Sequence, residues 1–157
     1  MTYMMSAKAF DAMNMEEVSK YCKGGCFHVT PAIKKVAIIN LGMTKEELMN
    51  IINMNCSVSV FDEDFSINQL KAMECDGVFV TNGKMDANKM ENVADKLKGI
   101  AGKKKLFGMG LGKDLIKMAV QEDSWNQEGA ILINQKAQAY GCDVDGEKNL
   151  KELFKFI

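Results

Sequence analysis

The feature that most limits the fold of this chain is a regular alternation, from Lys34 onward, of short apolar segments with amphipathic ones. Short runs rich in Val, Ile and Phe are typical of strands that are buried on both faces. The segments between them place apolar side chains three or four residues apart, which is the spacing of one helix face. Strands that alternate with helices form right-handed βαβ units. We therefore expect an α/β fold, a three-layer sandwich with a mainly parallel, flavodoxin-like sheet.

The periodicity also predicts individual elements. Strands are predicted over residues 35–40, 57–61, 77–80, 105–108, 130–133 and 136–140. Helices are predicted from Thr44, with Glu47 completing a capping box, and over residues 66–73, 88–100, 111–120 and 147–156. In sheets of this kind, sites form where the carboxyl ends of the strands meet the following loops. Residues 40–44, 81–87 and 108–112 are therefore the predicted site region.

The first thirty-three residues do not follow this alternation. Residues 1–33 are predicted to form a lead-in segment, with a helix near residues 15–21 and a turn at Gly24 and Gly25. Residues 34–157 are predicted to form one domain. A chain of 157 residues, 47% of them apolar and 26% charged, is long enough to bury a core of its own.

Composition argues against several classes of function. The net charge is −1 and all twenty basic residues are lysines, so the forked guanidinium that grips phosphates and guanine edges is absent. We therefore expect no nucleic-acid partner. No apolar run is long enough to span a membrane and no signal peptide is recognisable, which predicts no membrane association. Five cysteines, an odd number, are typical of a cytoplasmic protein with reduced thiols.

The sharpest local feature runs from Phe107 to Asp114, where a predicted strand ends, three glycines alternate and a helix begins. This is the shape of a nucleophile elbow, in which small residues on both sides of a tight turn lift the central side chain above the sheet. The central residue here is Gly110, which has no side chain. A glycine-rich phosphate loop at the helix start is the alternative interpretation, although the G-x-G-x-G spacing matches only part of the dinucleotide pattern.

Two motifs together give the chain a family resemblance. Residues 76–83 read Asp-Gly-Val-Phe-Val-Thr-Asn-Gly, and the elbow reads Phe-Gly-Met-Gly-Leu-Gly-Lys-Asp. They resemble the segments Asp-Gly-Ile-Phe-Leu-Ser-Asn-Gly and Phe-Gly-Ile-Cys-Leu-Gly-His-Gln of the class I glutamine amidotransferase domain, most closely that of the small subunit of carbamoyl phosphate synthetase. The resemblance covers most of the chain and implies the fold of that domain.

The resemblance also implies a catalytic triad, and this chain departs from it at every position. The family uses a cysteine thiolate as nucleophile, a histidine that activates it and a glutamate that orients the histidine. Gly110 stands at the position of the cysteine, Cys142 at that of the histidine and Val144 at that of the glutamate. A glycine cannot form the glutamyl thioester, so the resemblance predicts no catalytic residue here.

Residues around the elbow are predicted to form a vestigial ligand pocket. Gly83 and Leu111 keep the residues of the family. Met85 replaces a glycine of the oxyanion turn, and Asp114 replaces a glutamine that contacts the substrate. Together with Gly110, these four residues would line what remains of the glutamine site.

Two other groups of residues give weaker signals. Cys22, Cys26 and His28 bring soft ligands close together, but their spacing is not a familiar zinc signature and no second pair of ligands follows. We therefore predict no metal site. Cys142 has no histidine base near it in sequence, so a displaced nucleophile is not predicted there either.

The function expected from these residues is that of a catalytically inactive glutamine amidotransferase-like protein without a cofactor. It would act as a binding or assembly module, either as a homo-oligomer or with the large subunit of a synthetase. The alternative is that the vestigial pocket binds a small anion or metabolite at the helix start, with or without a different activity. A third possibility is a decayed gene product that simply folds.

Overall fold

A single nine-stranded sheet organises the computed structural model, which describes residues 2–23, 26–30, 34–121, 125–143 and 146–157. In chain order its elements are β1 (Thr2–Ser6), α1 (Ala7–Asp11), α2 (Met15–Cys22), β2 (Cys26–Thr30), β3 (Lys34–Ile39), α3 (Lys45–Ile52), β4 (Cys56–Phe61), α4 (Ile67–Ala72), β5 (Gly77–Val80), α5 (Ala87–Lys98), β6 (Leu106–Met109), α6 (Leu111–Ala119), β7 (Asn126–Glu128), β8 (Ile131–Asn134), β9 (Ala139–Cys142) and α7 (Glu147–Leu153). A short 3₁₀ helix, Phe154–Phe156, follows α7.

Five parallel strands form the centre of the sheet, in the order β4-β3-β5-β6-β9. At one edge β2 pairs antiparallel with β4, and β1 pairs parallel with β2. At the other edge β8 and β7 continue the sheet in antiparallel pairs. The expectation of a mainly parallel α/β sheet is therefore confirmed. Because β4 lies on one side of β3 and β5 on the other, the winding of the chain reverses between β3 and β5, which is the switch point of the sheet.

Helices cover both faces of the sheet, which confirms the predicted three-layer sandwich. Buried side chains place α2, α3 and α7 on one face and α4, α5 and α6 on the other. Along β3, Val36 and Ile38 belong to the first core, whereas Ala37 and Ile39 belong to the second. All four are fully buried, because side chains alternate across a strand and a parallel sheet requires cover on both sides.

The elements predicted after residue 34 occur close to their predicted positions, and β5 has the predicted limits. The helix α1 and the strands β1, β2 and β7 have no counterpart among the elements predicted from the sequence. The last of these reads Asn-Gln-Glu and is fully exposed, so no apolar alternation marks it and its pairing with β8 defines it. In the lead-in segment the predicted helix is confirmed as α2, whereas Gly24 and Gly25 lie outside the described residues. The boundary after residue 33 stays a prediction.

Side chains at the helix starts explain why the helices begin where they do. Ser66 accepts a hydrogen bond from the N–H of Gln69 at the start of α4. Thr44 likewise accepts from the N–H of Glu47 (3.2 Å). The predicted capping box is only half formed, since the Glu47 carboxylate accepts from the Thr44 hydroxyl rather than from a backbone N–H. Among the described residues, no helix has the length and apolar character needed to cross a membrane.

His28, the only histidine of the chain, couples the stability of the sheet to pH. Its Nδ1 lies against the hydroxyl of Ser59 on β4, and burial lowers the pKa of its imidazole. Because the unfolded chain then binds the proton more readily, the contribution of neutral His28 is complete above about pH 6.5. It is lost as the pH falls from there through the lowered pKa of the folded state.

We expect the variant His28→Gln to lose less stability than the wild type when the pH is lowered from neutral to about 5. Urea unfolding at each pH measures this difference. The carboxylates are common to both proteins, so the difference between them reports on His28 alone. Equal losses of stability in the two proteins would contradict the prediction.

Candidate functional site

The carboxyl ends of β3, β5 and β6 lie side by side, and the structure brings together the three loops that follow them. Thr81, directly after β5, is 1% exposed and links the first two loops. Its hydroxyl accepts from the N–H of Leu41 (2.8 Å) and donates to the carbonyl of Asn82 (3.0 Å). The Asn40 side chain accepts from the N–H of Met43 (2.8 Å), which turns the chain from β3 towards α3.

The turn between β6 and α6 has the backbone geometry of an elbow. Gly110, at its tip, has φ +56° and ψ −117°, a conformation that side-chain-bearing residues rarely adopt. A Cβ at Gly112 would lie closer than 3.0 Å to the carbonyl oxygen of Val80. A Cβ at Gly108 would also lie closer than 3.0 Å to backbone atoms, in this case those of Gly112. These glycines let α6 start directly against the sheet, which is what the nucleophile-elbow motif predicts.

The side chain of Asn82 fills the space above the elbow tip. Its Oδ1 accepts from the N–H of Gly83 (2.9 Å) and from the N–H of Leu111 (2.9 Å), the first residue of α6. A Cβ built on Gly110 would meet this carboxamide, with Asn82 Nδ2 only 2.9 Å away. The amide of Asn82 therefore occupies the volume in which a nucleophilic side chain at position 110 would begin. Sequence reasoning missed this role, although the empty tip left by a glycine is a signal for it.

Cys142 lies next to the elbow, at the end of β9. It pairs in register with Met109, and its carbonyl accepts from the N–H of Gly110 (2.9 Å). The side chain is buried, with 1% exposure. Val144, the third of the degenerate triad positions, lies outside the described residues. The sheet thus places a thiol one strand away from the elbow, where the resemblance implies a histidine.

The other predicted pocket residues lie on the α5 and α6 side of the elbow. Met85 and Leu111 pack as half-buried side chains against the core on that face. Asp114 is exposed and pairs with Lys113 (3.4 Å), which also binds Asp143. The hydrogen bond to Asp143 raises the pKa of Lys113. That these residues line a ligand pocket stays a prediction.

A cleft of about 430 Å³ opens on the opposite side of the same strand ends, between α3 and α7. Its lining residues come from the switch-point loops, the two helix starts and the core below them: Met43, Thr44, Glu46, Glu47, Asn50, Phe79, Thr81, Asn82, Met109, Gly146, Glu147 and Leu150. None of the five predicted pocket residues is among them. The rule that sites lie at the carboxyl ends of strands pointed to this edge, but it did not tell which face would be open.

The two cysteines and the histidine of the lead-in do not converge. Cys26 Sγ lies 3.7 Å from Nε2 of His28, in the core on the α4 side. Cys22 packs in the other core, where its thiol donates to the carbonyl of Val60 (3.6 Å) and burial raises its pKa to about 12. Within the part of the chain that the structure describes, no three His, Cys, Asp or Glu side chains are grouped to hold a metal ion.

Comparison with known proteins gives related sequences but no matching family model. The chain is 31% identical over 107 residues to the carbamoyl phosphate synthase small chain of Clostridium perfringens, a match that covers 68% of this chain and 31% of that protein. It is 28% identical over 135 residues to the small chain of Fusobacterium nucleatum, covering 74% and 38%. This chain thus spans about a third of the length of the curated relatives it matches.

A solved structure shows the same fold. A protein from Thermoplasma acidophilum that is described as a GMP synthase component superposes with a TM-score of 0.65. The superposition covers 81% of this chain and 93% of that one, at 9% sequence identity. The architecture is therefore shared far beyond recognisable sequence similarity.

The contact between Asn82 and the elbow tip can be tested with a double-mutant cycle. We expect Gly110→Ala to destabilise the fold by more than about 2 kcal/mol, because the turn holds position 110 at a positive φ that alanine disfavours and the new Cβ meets the Asn82 carboxamide. In an Asn82→Ala background this cost is expected to fall by at least about 1 kcal/mol. Chemical denaturation of the four proteins measures both values.

Gly112→Ala is the matched control, because its Cβ would meet the carbonyl of Val80 rather than Asn82. Its cost is expected to be the same with and without Asn82→Ala. If the cost of Gly110→Ala is equally unaffected by Asn82→Ala, the carboxamide does not fill the elbow.

Proposed function

Because the chain is a divergent relative of the carbamoyl phosphate synthase small chain, we propose that it is a catalytically inactive glutamine amidotransferase-like protein that serves as a binding or assembly module. The observation that carries the proposal is the occupied elbow. Gly110 provides no nucleophile, and the carboxamide of Asn82 takes the space in which one would stand.

The hydrogen bonds of the elbow support the same conclusion. In acyl transfer, the N–H of the residue after the nucleophile helps to stabilise the oxyanion of the tetrahedral intermediate. In this chain that group is the N–H of Leu111, and it already donates to Asn82 Oδ1 at 2.9 Å. The protein satisfies with its own side chain the donor that a reacting substrate would need.

The position of the general base supports it further. Glutamine hydrolysis by a thiolate needs a partner that removes the proton of the thiol. Cys142 stands where the family has its histidine, and the only histidine of the chain lies on β2, well away from β9 across the sheet. A nucleophile restored at position 110 would therefore still have no base.

The alternative, a small anion bound at the start of α6, is less favoured by the geometry. The N–H groups of Gly83 and Leu111 that would receive an anion are both bonded to Asn82. A binding role is favoured instead by the cleft of about 430 Å³ on the other face, whose volume is typical of small-molecule sites.

Glutaminase activity is the direct test of inactivity. Purified protein at saturating glutamine is expected to release ammonia at the rate of the protein-free blank. The double variant Gly110→Cys with Asn82→Ala is expected to stay at that rate as well, because a thiol without a base is mostly protonated at neutral pH. An authentic carbamoyl phosphate synthase small chain, assayed with its large chain, is the positive control. Ammonia release that persists in purified wild type and disappears in Cys142→Ser would overturn the proposal.

The assembly role has its own measurement. Light scattering coupled to gel filtration is expected to show either a homo-oligomer or, after a synthetase large chain is added, a mixed complex. A chain that stays monomeric, ignores the large chain and binds no small molecule would have lost the family's functions altogether. That combined result would favour a decayed gene product.

A further inference from the structure

The cleft between α3 and α7 lies where a doubly wound sheet ordinarily binds its ligand. Its polar wall comes from Thr44 after β3 and from Thr81 after β5, the two strands between which the winding reverses. Ligands of such sheets bind outside the carboxyl ends of the strands at this point. Position therefore marks the cleft as a candidate site next to the elbow, with which it shares Asn82.

The floor of the cleft is apolar. Met43, Phe79, Met109 and Leu150 line it and are each at most 4% exposed. They come from a loop, two strands and α7, so the floor is held by the core of the sheet. Such a surface favours an aromatic ring or a short alkyl chain over a fully polar ligand.

The charges that line the cleft are all negative. Glu46 and Glu47 stand on the first turn of α3, and Glu147 stands on the first turn of α7. Glu147 pairs with Lys151 (3.1 Å), but no salt bridge within the described ranges engages Glu46 or Glu47. No lysine is among the lining residues. The two carboxylates on α3 therefore favour a cation over an anion at the mouth of the cleft.

We propose that this cleft binds a small organic cation, a primary amine that carries an apolar group. The apolar part lies on the floor, and the ammonium group faces the carboxylates of α3 and the side chain of Asn50 on the same helix. An anionic ligand would meet like charge at the mouth, which opposes binding. The inference gives a ligand class to the binding role proposed above, on which it rests.

The test compares three probes of nearly equal shape: 2-phenylethylamine, 2-phenylethanol and 3-phenylpropionate. Titration calorimetry or protein-observed NMR on the full chain gives the affinity of each. The amine is expected to bind about tenfold tighter than the alcohol, a difference of about 1.4 kcal/mol, and the carboxylate is expected to bind most weakly. An affinity order in which the alcohol or the carboxylate equals or exceeds the amine would overturn the proposal, as would no binding of the amine at millimolar concentration.

Two lysine substitutions on α3 locate the site. Asn50→Lys places a positive charge in the cleft and is expected to weaken amine binding at least about tenfold. Asn53→Lys is the matched control, because Asn53 is exposed at the end of the same helix and does not line the cleft. The affinity of this control variant is expected to fall much less than that of Asn50→Lys, because the exposed lysine at position 53 lies outside the cleft and acts on the ligand through water. Equal affinities in both variants would place the amine elsewhere.

Failure of this inference and failure of the proposed function give different results. An inactive protein that binds none of the probes would remove the ligand class and leave the loss of glutaminase activity standing. Amine binding by a protein that hydrolyses glutamine would support the ligand class and contradict the proposed inactivity. Thermal unfolding of each variant without ligand checks that a lost affinity is not a lost fold.

Discussion

Burial of the parallel sheet on both faces is the constraint from which the rest of the structure follows. On β3, Val36 and Ile38 pack into the core on one face of the sheet. Ala37 and Ile39 pack into the core on the other face, so the side chains in the middle of the strands are used for packing. Polar chemistry is then confined to the strand ends, where backbone and side-chain groups reach solvent. The glycine elbow, the buried Thr81 and the cleft all lie on that one edge.

The elbow keeps the backbone geometry of a nucleophile turn with a glycine at its tip. The close approach of α6 to β5 needs Gly112, and the positive φ at the tip suits Gly110, so both glycines serve the fold. A tip without a side chain would leave a gap and an unsatisfied N–H at the start of the helix. The carboxamide of Asn82 fills this gap, and its oxygen accepts a hydrogen bond from the N–H of Leu111. The tip of the turn is thereby packed by a side chain of the protein itself.

The two faces of the strand edge have different characters. On the α5 and α6 side the donors are bonded internally, and the charged group nearest the helix start, Lys113, is paired with Asp143. On the α3 and α7 side an apolar floor stays open beneath carboxylates. The family relationship directs attention to the elbow, whereas shape and charge direct it to the cleft beside the elbow. A binding role of the cleft is therefore compatible with the inactivity proposed for the elbow.

Local sequence rules predicted much of the fold of this protein. Apolar periodicity predicted the central strands, capping residues such as Ser66 marked helix starts, and the glycine spacing identified the elbow with Gly110 at its tip, because each depends on neighbours only a few residues away. The edge strand β7 had no such signal, since its partner strand defines it. Only the tertiary structure decided that Asn82 lies over Gly110 and that Glu47 and Glu147 line one cleft. Those contacts join residues far apart in the chain, so the order of the strands, and not any local pattern, sets them.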